Sequence, residues 1–215
     1  MQILVGLGNP GPRYAANRHN IGFLALEAIA RRQGAQAWRG RFQGRVAEIT
    51  LAGEKCLLLC PETYMNNSGQ SVGEALRFYK LTPEDVTVFY DELDLRPGKM
   101  KVKWGGGAAG HNGIRSLIAH IGPDFRRVRL GIGHPGQKEL VMPWVLGDFA
   151  KADRDWLEPL LDALAGELPL LVKGDEGSYM SRVAYLTGGD KNDDKKIEDK
   201  KTGNTTADDK KNGES

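Results

Sequence analysis

Residues 2–22 read QILVGLGNPGPRYAANRHNIG, and this stretch predicts the opening unit of an α/β fold. The apolar run at residues 2–7 is bounded by glycines, which is typical of a short buried strand. From Ile21 to Arg32 apolar residues recur at helical spacing, with Asn20 as the predicted N-cap. His19 therefore lies in the loop between the first strand and the first helix, where α/β proteins carry functional side chains.

His19 and Asp91 are the candidate chemical pair. A histidine can accept a proton near neutral pH, because its ordinary pKa is about 6.5. Asp91 ends the predicted strand Val86–Tyr90, and a carboxylate is the usual partner that fixes a histidine tautomer. The two residues would activate water as the nucleophile. Glu92 and Asp94 are expected to be solvated loop charges. Taken alone, His19 is equally well explained as an ordinary surface residue.

The rest of the chain alternates between strand and helix patterns. Further strands are predicted at 44–51, 55–61, 86–90, 99–104 and 127–132, and further helices at 68–79, 114–121 and 153–171. Such alternation indicates an α/β domain. The adjacent strands at 44–61 indicate a mixed sheet with an antiparallel part. The predicted fold is a single domain in which helices surround a mixed, twisted sheet.

Composition separates a folded domain from a charged tail. The chain is 40% hydrophobic and 27% charged, which is ordinary for a globular protein. Residues 188–215 carry seven lysines and eight acidic residues but no aromatic residue, and they repeat DDKK at 193–196 and 208–211. Such a segment buries too little apolar surface to fold. We expect a folded domain at residues 1–187 and a disordered tail at 188–215.

Location and metal content follow from simple patterns. No stretch approaches the ~18 apolar residues that cross a bilayer, and the start lacks the basic region of a signal peptide. A cytoplasmic protein without a membrane segment is therefore expected. Cys56 and Cys60 lie about 13 Å apart on a predicted strand, too far for a disulfide, so they are expected to be buried free thiols. No spacing typical of a metal site is present.

Two glycine-rich runs resemble phosphate-binding loops. Gly6-x-Gly8-x-x-Gly11 matches the dinucleotide fingerprint, but two prolines interrupt the turn and the helix starts only near Asn20. A nucleotide-dependent oxidoreductase is therefore disfavoured. Residues 105–113, GGGAAGHNG, lead into a helix but lack the Lys-Ser/Thr of a P-loop. This loop offers either a mobile flap or a close backbone approach to a ligand.

Basic residues concentrate in the second half of the domain. Eight of them fall within forty residues: Lys99, Lys101, Lys103, Arg115, Arg126, Arg127, Arg129 and Lys138. Charge runs are usually solvated faces. Here the lysines alternate along one predicted strand beside the glycine loop, and this arrangement favours a groove that follows a phosphate backbone.

Five linked motifs resemble the bacterial peptidyl-tRNA hydrolase family. They are VGLGNPG at 5–11, RHN at 18–20, YMN at 64–66, DELD at 91–94 and GHNG at 110–113. They follow the order and spacing of that family over residues 1–187. The resemblance implies a monomeric, metal-free and cofactor-free esterase. Its implied reaction cleaves the ester between a peptide and the ribose at the tRNA 3′ end, releasing tRNA for reuse.

The resemblance also implies roles for individual residues. His19 becomes the catalytic base and Asp91 its partner. The implied substrate-binding residues are Asn9, Tyr14, Tyr64, Met65, Asn66, His111 and Asn112, and the implied tRNA-binding residues are Lys101, Lys103 and Arg129. Asn9 and Asn66 would hold the peptide and orient the reacting carbonyl. The implied partner is peptidyl-tRNA at its acceptor end.

A non-catalytic RNA-binding protein is the alternative. It needs the basic groove but not the pair of His19 and Asp91. The aromatic stacking signatures of common RNA-binding modules are absent from the sequence. The geometry of the pair separates the two hypotheses, because a separation of more than ~6 Å would favour binding alone.

Overall fold

Seven strands form one mixed sheet in the computed structural model, which describes residues 1–188. The strands are β1 (Gln2–Gly6), β2 (Arg39–Arg41), β3 (Gly44–Leu51), β4 (Glu54–Pro61), β5 (Val86–Glu92), β6 (Met100–Trp104) and β7 (Arg126–Gly131). Their order across the sheet is β2-β3-β4-β1-β5-β7-β6. The four central strands β4, β1, β5 and β7 are parallel, and the remaining pairings are antiparallel. The mixed α/β architecture predicted from the sequence is confirmed.

Helices cover both faces of the sheet. They are α1 (Ile21–Arg32), α2 (Ser68–Tyr79), α3 (Asn112–Ile121), α4 (Val141–Val145), α5 (Arg154–Gly166), α6 (Leu168–Val172) and α7 (Glu176–Leu186). The prediction of one long helix at 153–171 is wrong. Gly166 ends α5, and Pro169 lies in the first turn of α6, where its missing N–H group costs nothing. None of the helices within residues 1–188 is long and apolar enough to cross a membrane.

Strand β5 separates two apolar layers. Its residues are all buried, and they alternate between the faces of the sheet. Phe89 packs in the layer formed with α1, α5, α6 and α7. Val88 and Tyr90 pack in the layer formed with α2 and α3. Because both faces of β5 are buried, packing fixes the position of its carboxyl end, which carries the buried Asp91.

Cys56 and Cys60 are buried free cysteines, as predicted. Burial is the main cause that raises the pKa of the Cys56 thiol, to about 11. The tail predicted at residues 188–215 lies outside the described residues except for Gly188, so its disorder stays a prediction.

The first turn of α1 lies directly against the ends of β1 and β5. A Cβ atom on Gly22 would lie 2.3 Å from the Phe89 carbonyl oxygen and 2.5 Å from the Leu7 nitrogen. A Cβ atom on Gly6 would lie 2.3 Å from the Gly22 carbonyl oxygen. Only glycine permits this approach. It brings the 3₁₀ turn Arg18–Asn20, which precedes α1, over the carboxyl ends of the two strands.

Replacing Gly22 with alanine is expected to destabilise the fold by at least about 3 kcal/mol, because the neighbouring atoms are backbone and cannot move aside. Urea unfolding followed by circular dichroism measures the change. Gly177→Ala is the matched control, since Gly177 is also the second residue of a helix, α7, but has no atom within 4 Å of an added Cβ. That control should gain about 0.5–1 kcal/mol. Equal stability of the two variants would contradict the packing argument.

Candidate active site

Two histidines share one buried carboxylate at the carboxyl end of β5. His19 Nδ1 lies 2.8 Å from Asp91 Oδ1 and 2.9 Å from Oδ2. His111 Nε2 lies 3.0 Å from Asp91 Oδ1. The two imidazole rings are 4.9 Å apart, and Asp91 is 3% exposed. The structure therefore brings the predicted pair His19 and Asp91 into direct contact and adds His111 to it.

The hydrogen bonds define which nitrogen of each ring carries a proton. His111 Nδ1 accepts from the Ile114 backbone N–H at 3.2 Å, so its Nε2 carries a hydrogen and donates to Asp91. Because Asp91 is an acceptor when ionised, His19 Nδ1 donates to it as well. This leaves His19 Nε2 as an acceptor with no partner within residues 1–188, which is the arrangement a general base requires.

The pair shifts both pKa values. Burial alone would raise the pKa of Asp91, but the charge of His19 and then that of His111 outweigh burial and hold this pKa well below its usual range. Burial likewise would lower the pKa of His19, yet the Asp91 charge and its hydrogen bond raise it above the ordinary histidine value. The site thus strengthens His19 as a base and keeps Asp91 ionised.

The same three side chains form a geometric metal-ligand candidate. One ligand atom from each of His19, Asp91 and His111 lies within 4.8 Å of the others. A metal ion at this point would have to replace the hydrogen bonds between the imidazoles and Asp91. The two imidazole N–H groups already donate to Asp91, so the geometry supports a histidine base that is oriented by a carboxylate.

Asn20, which the sequence predicts only as a helix cap, fixes the position of Asn9. Asn20 accepts from the Asn9 backbone N–H at 2.8 Å and donates its Nδ2 to the Asn9 carbonyl at 2.9 Å. The Asn20 side chain makes no cap hydrogen bond to α1. Asn9 Oδ1 accepts from the Met65 backbone N–H at 2.9 Å, which leaves its Nδ2 donors available to a ligand. Asn20, the residue next to His19, therefore fixes the backbone of Asn9, whose side chain can donate to a ligand.

The remaining predicted substrate-binding residues lie around this amide. Tyr14 and Tyr64 meet edge to face, with ring centroids 6.5 Å apart. Asn66 is exposed and makes no side-chain hydrogen bond within residues 1–188. Asn112 accepts from Arg115 at 3.1 Å through Oδ1, so its Nδ2 group also remains available. Asn66 and Asn112 therefore have free amide groups, as Asn9 does.

A cavity of about 290 Å³ opens beside His19 and Asp91. The loop of residues 108–112 forms one wall. His134 and three apolar residues of α4, namely Val141, Met142 and Val145, also line the cavity. The sequence does not reveal this apolar wall, because a five-residue helix containing a proline carries no clear periodic pattern.

Hydrogen bonds and a stacking contact join the region of α4 to the turn that carries His19. The guanidinium of Arg18 stacks on Trp144 at 4.0 Å and pairs with Asp153 at 3.2 Å. The Arg18 backbone N–H donates to the Gly147 carbonyl at 3.0 Å. Asn17 adds a hydrogen bond to Asp148 at 2.7 Å. The turn that carries His19 and the apolar wall are therefore directly connected.

Lys101 and Lys103 are exposed on the edge strand β6, as predicted. Their register partners on β7 are Arg129 and Arg127. The expectation that Glu92 is solvated is wrong: it is 7% exposed, and its Oε2 accepts from Arg129 Nε at 2.8 Å. Strand β5 continues to Glu92, so this residue remains in the sheet.

Two arginines of the predicted basic cluster are not on the surface. Arg126 is 5% exposed and Arg127 is 2% exposed. Arg126 donates to Thr87 Oγ1 and the Leu171 carbonyl, so it supports the core. The cations available to a ligand on this face are therefore fewer than the sequence suggested.

Comparisons with known proteins agree with the motifs. The sequence profile described as "Peptidyl-tRNA hydrolase" matches residues 3–194. A protein of that name from Rhodospirillum rubrum is 61% identical over 187 residues, covering 87% of this chain and 77% of its own length. One from Parvibaculum lavamentivorans is 62% identical over 184 residues, covering 85% and 90%. The crystal structure of peptidyl-tRNA hydrolase from Acinetobacter baumannii has a TM-score of 0.80 and 42% identity, covering 85% and 94%.

Titration of the histidine signals by NMR is expected to show a pKa for His19 above about 6.5, and Asp91→Asn should lower it. A raised folded-state pKa means that the pair stabilises the fold fully below the unfolded value of about 6.5. This stabilisation is lost as the pH rises through the folded-state pKa of His19. The signals of His120 and His134, whose hydrogen bonds are to residues other than Asp91, are the internal reference. A His19 titration that is unchanged in Asp91→Asn would show that the carboxylate does not set the basicity of the ring.

Proposed function

The chain belongs to the peptidyl-tRNA hydrolase family, and from this premise we propose that His19 is the general base that cleaves its substrate. The substrate is peptidyl-tRNA, in which an ester joins the peptide to the 3′-terminal ribose, and the products are free peptide and reusable tRNA. The contact of 2.8 Å between His19 Nδ1 and Asp91 Oδ1 is the observation that carries this assignment.

The attacking nucleophile is water. His19 Nε2 takes a proton from the water while its oxygen attacks the ester carbonyl, and the imidazolium that forms is stabilised by Asp91. The tetrahedral intermediate then collapses. His19 returns the proton to the ribose oxygen as the ester bond breaks, and the base is regenerated. An alkoxide of this kind leaves more readily than an amine, so one base with positioned amides is sufficient.

Amide donors hold the peptide and stabilise the developing oxyanion. Asn9 has its oxygen committed to the Met65 N–H, so its Nδ2 faces the substrate as a donor of fixed orientation. Asn66 and Asn112 have free amide groups that suit a peptide backbone. Tyr14 and Tyr64 supply an aromatic surface for peptide side chains. His111 contributes by holding Asp91 rather than by exchanging a proton.

The RNA part of the substrate binds on the basic edge of the sheet. Lys101 and Lys103 are exposed there, and Arg129 is held in place by Glu92. Phosphate groups attract such cations regardless of base sequence, which suits an enzyme that accepts many tRNAs. We place the acceptor end of the tRNA along this edge, with its 3′ ribose at His19.

The protein is proposed to act as a metal-free monomer in the cytoplasm, where peptidyl-tRNA arises. Every residue assigned to the reaction comes from one chain, and the described site is complete without a second copy. The non-catalytic RNA-binding alternative does not account for His19, because a groove alone gives no reason for a base whose Nδ1 is bonded to a buried carboxylate.

Replacing His19 with alanine is expected to lower kcat by roughly 10²–10⁴-fold, the contribution of a general base. Asp91→Asn should also lower kcat, because an amide stabilises the imidazolium less well. Release of free tRNA from an N-blocked aminoacyl-tRNA measures the rate. The double variant should lose little more than His19→Ala alone, since the two residues act as a unit. Independent, multiplying losses would contradict the pairing.

Lys101→Ala is expected to weaken binding of uncharged tRNA and to make the slope of log affinity against log salt shallower by about 0.7–0.9. Fluorescence anisotropy across a salt series measures both. Lys173→Ala is the control, because Lys173 follows Val172, whose carbonyl bonds to Gln2 at the opposite end of β1 from His19. If both variants keep the wild-type slope, the lysines of β6 are only a solvated face.

A further inference from the structure

The glycine loop of residues 105–110, between β6 and α3, has no role in the mechanism above. The buried side chain of Arg127 reaches into this loop from β7. Its Nη1 donates to the Gly107 carbonyl at 2.7 Å, and its Nη2 donates to the Gly106 carbonyl at 2.5 Å. Two successive carbonyl groups are therefore drawn inward toward one guanidinium.

This arrangement turns two backbone donors outward. In a trans peptide the N–H group points opposite to the preceding carbonyl. The N–H groups of Gly107 and Ala108 therefore point away from Arg127. Neither donates to an acceptor within the described part of the chain, whereas the next ordered donor, the His111 N–H, bonds to the Ala108 carbonyl at 2.8 Å. Adjacent, unpaired N–H groups of this kind form a concave site for an anion.

Two cations lie close to the two donors, while the carboxylate of Asp124 lies at the start of the loop, 3.7 Å from the position that a Cβ of Gly105 would occupy. Arg127 makes no ion pair with a carboxylate in residues 1–188, and its Nε is buried without a hydrogen-bond partner. The Lys103 ammonium lies beside the loop, 3.2 Å from the position that a Cβ of Gly106 would occupy. The corresponding position at Gly107 is open space. A buried cation and a surface cation thus flank an accessible pair of donors.

We propose that residues 106–108 bind a phosphodiester group of the substrate RNA through the N–H groups of Gly107 and Ala108, with the Lys103 ammonium beside it. The inference rests on the proposed function and adds to it a backbone subsite for a phosphate. Residues 108–112 line the same cavity as His19, so the bound phosphate belongs to the nucleotides nearest the 3′ end.

A phosphodiester fits this site better than a carboxylate of the peptide. Its phosphorus is tetrahedral, so the two non-bridging oxygens, which share one negative charge, point out of a single plane and can accept from the two N–H groups and the ammonium together, whereas the oxygens of a carboxylate lie in one plane. Arg127 does not touch the ligand. It is a positioning residue, because it holds the carbonyls inward and adds its charge to the field at the loop.

Ala108→Pro tests the proposal by deleting one N–H group. Ala108 does not have a positive φ, and proline keeps the carbonyl that accepts from His111. We expect uncharged tRNA to bind about tenfold more weakly, the value of one hydrogen bond to a charged group. The salt slope should become shallower by less than the about 0.7–0.9 of a whole phosphate contact, because Lys103 and the Gly107 N–H remain.

Two further measurements separate phosphate binding from a change in the shape of the pocket. The first is the ratio of kcat/KM for peptidyl-tRNA to kcat/KM for an N-blocked aminoacyl-adenosine ester that has no phosphate. Ala108→Pro should lower this ratio about tenfold. Ala108→Ser keeps the N–H group and should lower it much less. Equal losses on both substrates, with an unchanged tRNA affinity, would falsify the subsite.

The last measurement is the affinity for inorganic phosphate at constant ionic strength. An RNA site predicts that Ala108→Pro weakens tRNA far more than it weakens inorganic phosphate. If the substitution affects only inorganic phosphate, the loop is a site for the free ion and the proposal is overturned. Measuring the affinity for uncharged tRNA does not require hydrolysis. The subsite can therefore be tested even if the wild-type protein hydrolyses neither ester. Such a failure would refute only the proposed function.

Discussion

The close approach of α1 to the sheet at Gly22 is the constraint on which the site depends. Backbone atoms of α1, β1 and β5 meet there with no room for a side chain. The 3₁₀ turn Arg18–Asn20 is continuous with α1, so its position over the strand ends is fixed by this contact. A helix standing off by the width of one methyl group would carry His19 away from Asp91. Catalytic geometry here is thus a consequence of backbone packing.

Burial of Asp91 creates a second requirement, because an ionised carboxylate inside a protein is costly unless it is fully paired. His19 alone would bind one side of the group. His111 supplies a further donor and is itself oriented by the N–H of Ile114 at the start of α3. The carboxylate therefore connects the turn before α1, the end of β5 and the first turn of α3. One charged group thus fixes the relative positions of three separate segments of the chain.

Much of the architecture was predictable because local patterns decide it. The bounds of α1 and the central strands follow from apolar periodicity, and His19 and Asp91 follow from their places at the ends of strands. Two of the predictions that failed depend on tertiary contacts, unlike the helix at 153–171, which Gly166 and Pro169 divide locally. Asn20 looks like a cap in sequence, but its partner is Asn9, eleven positions away. Glu92 looks solvated until β7 supplies Arg129.

Strand β6 ends the sheet, and this position has a consequence for how the molecule behaves in concentrated solution. An unpaired strand edge can template pairing with another chain, and closely spaced lysines are a common defence against such association. Lys101 and Lys103 provide that defence in a strand of five residues. Neutralising these lysines to study RNA affinity would therefore also leave a strand edge that is prone to association with other chains. The charge that we propose to bind RNA therefore also protects the protein while RNA is absent.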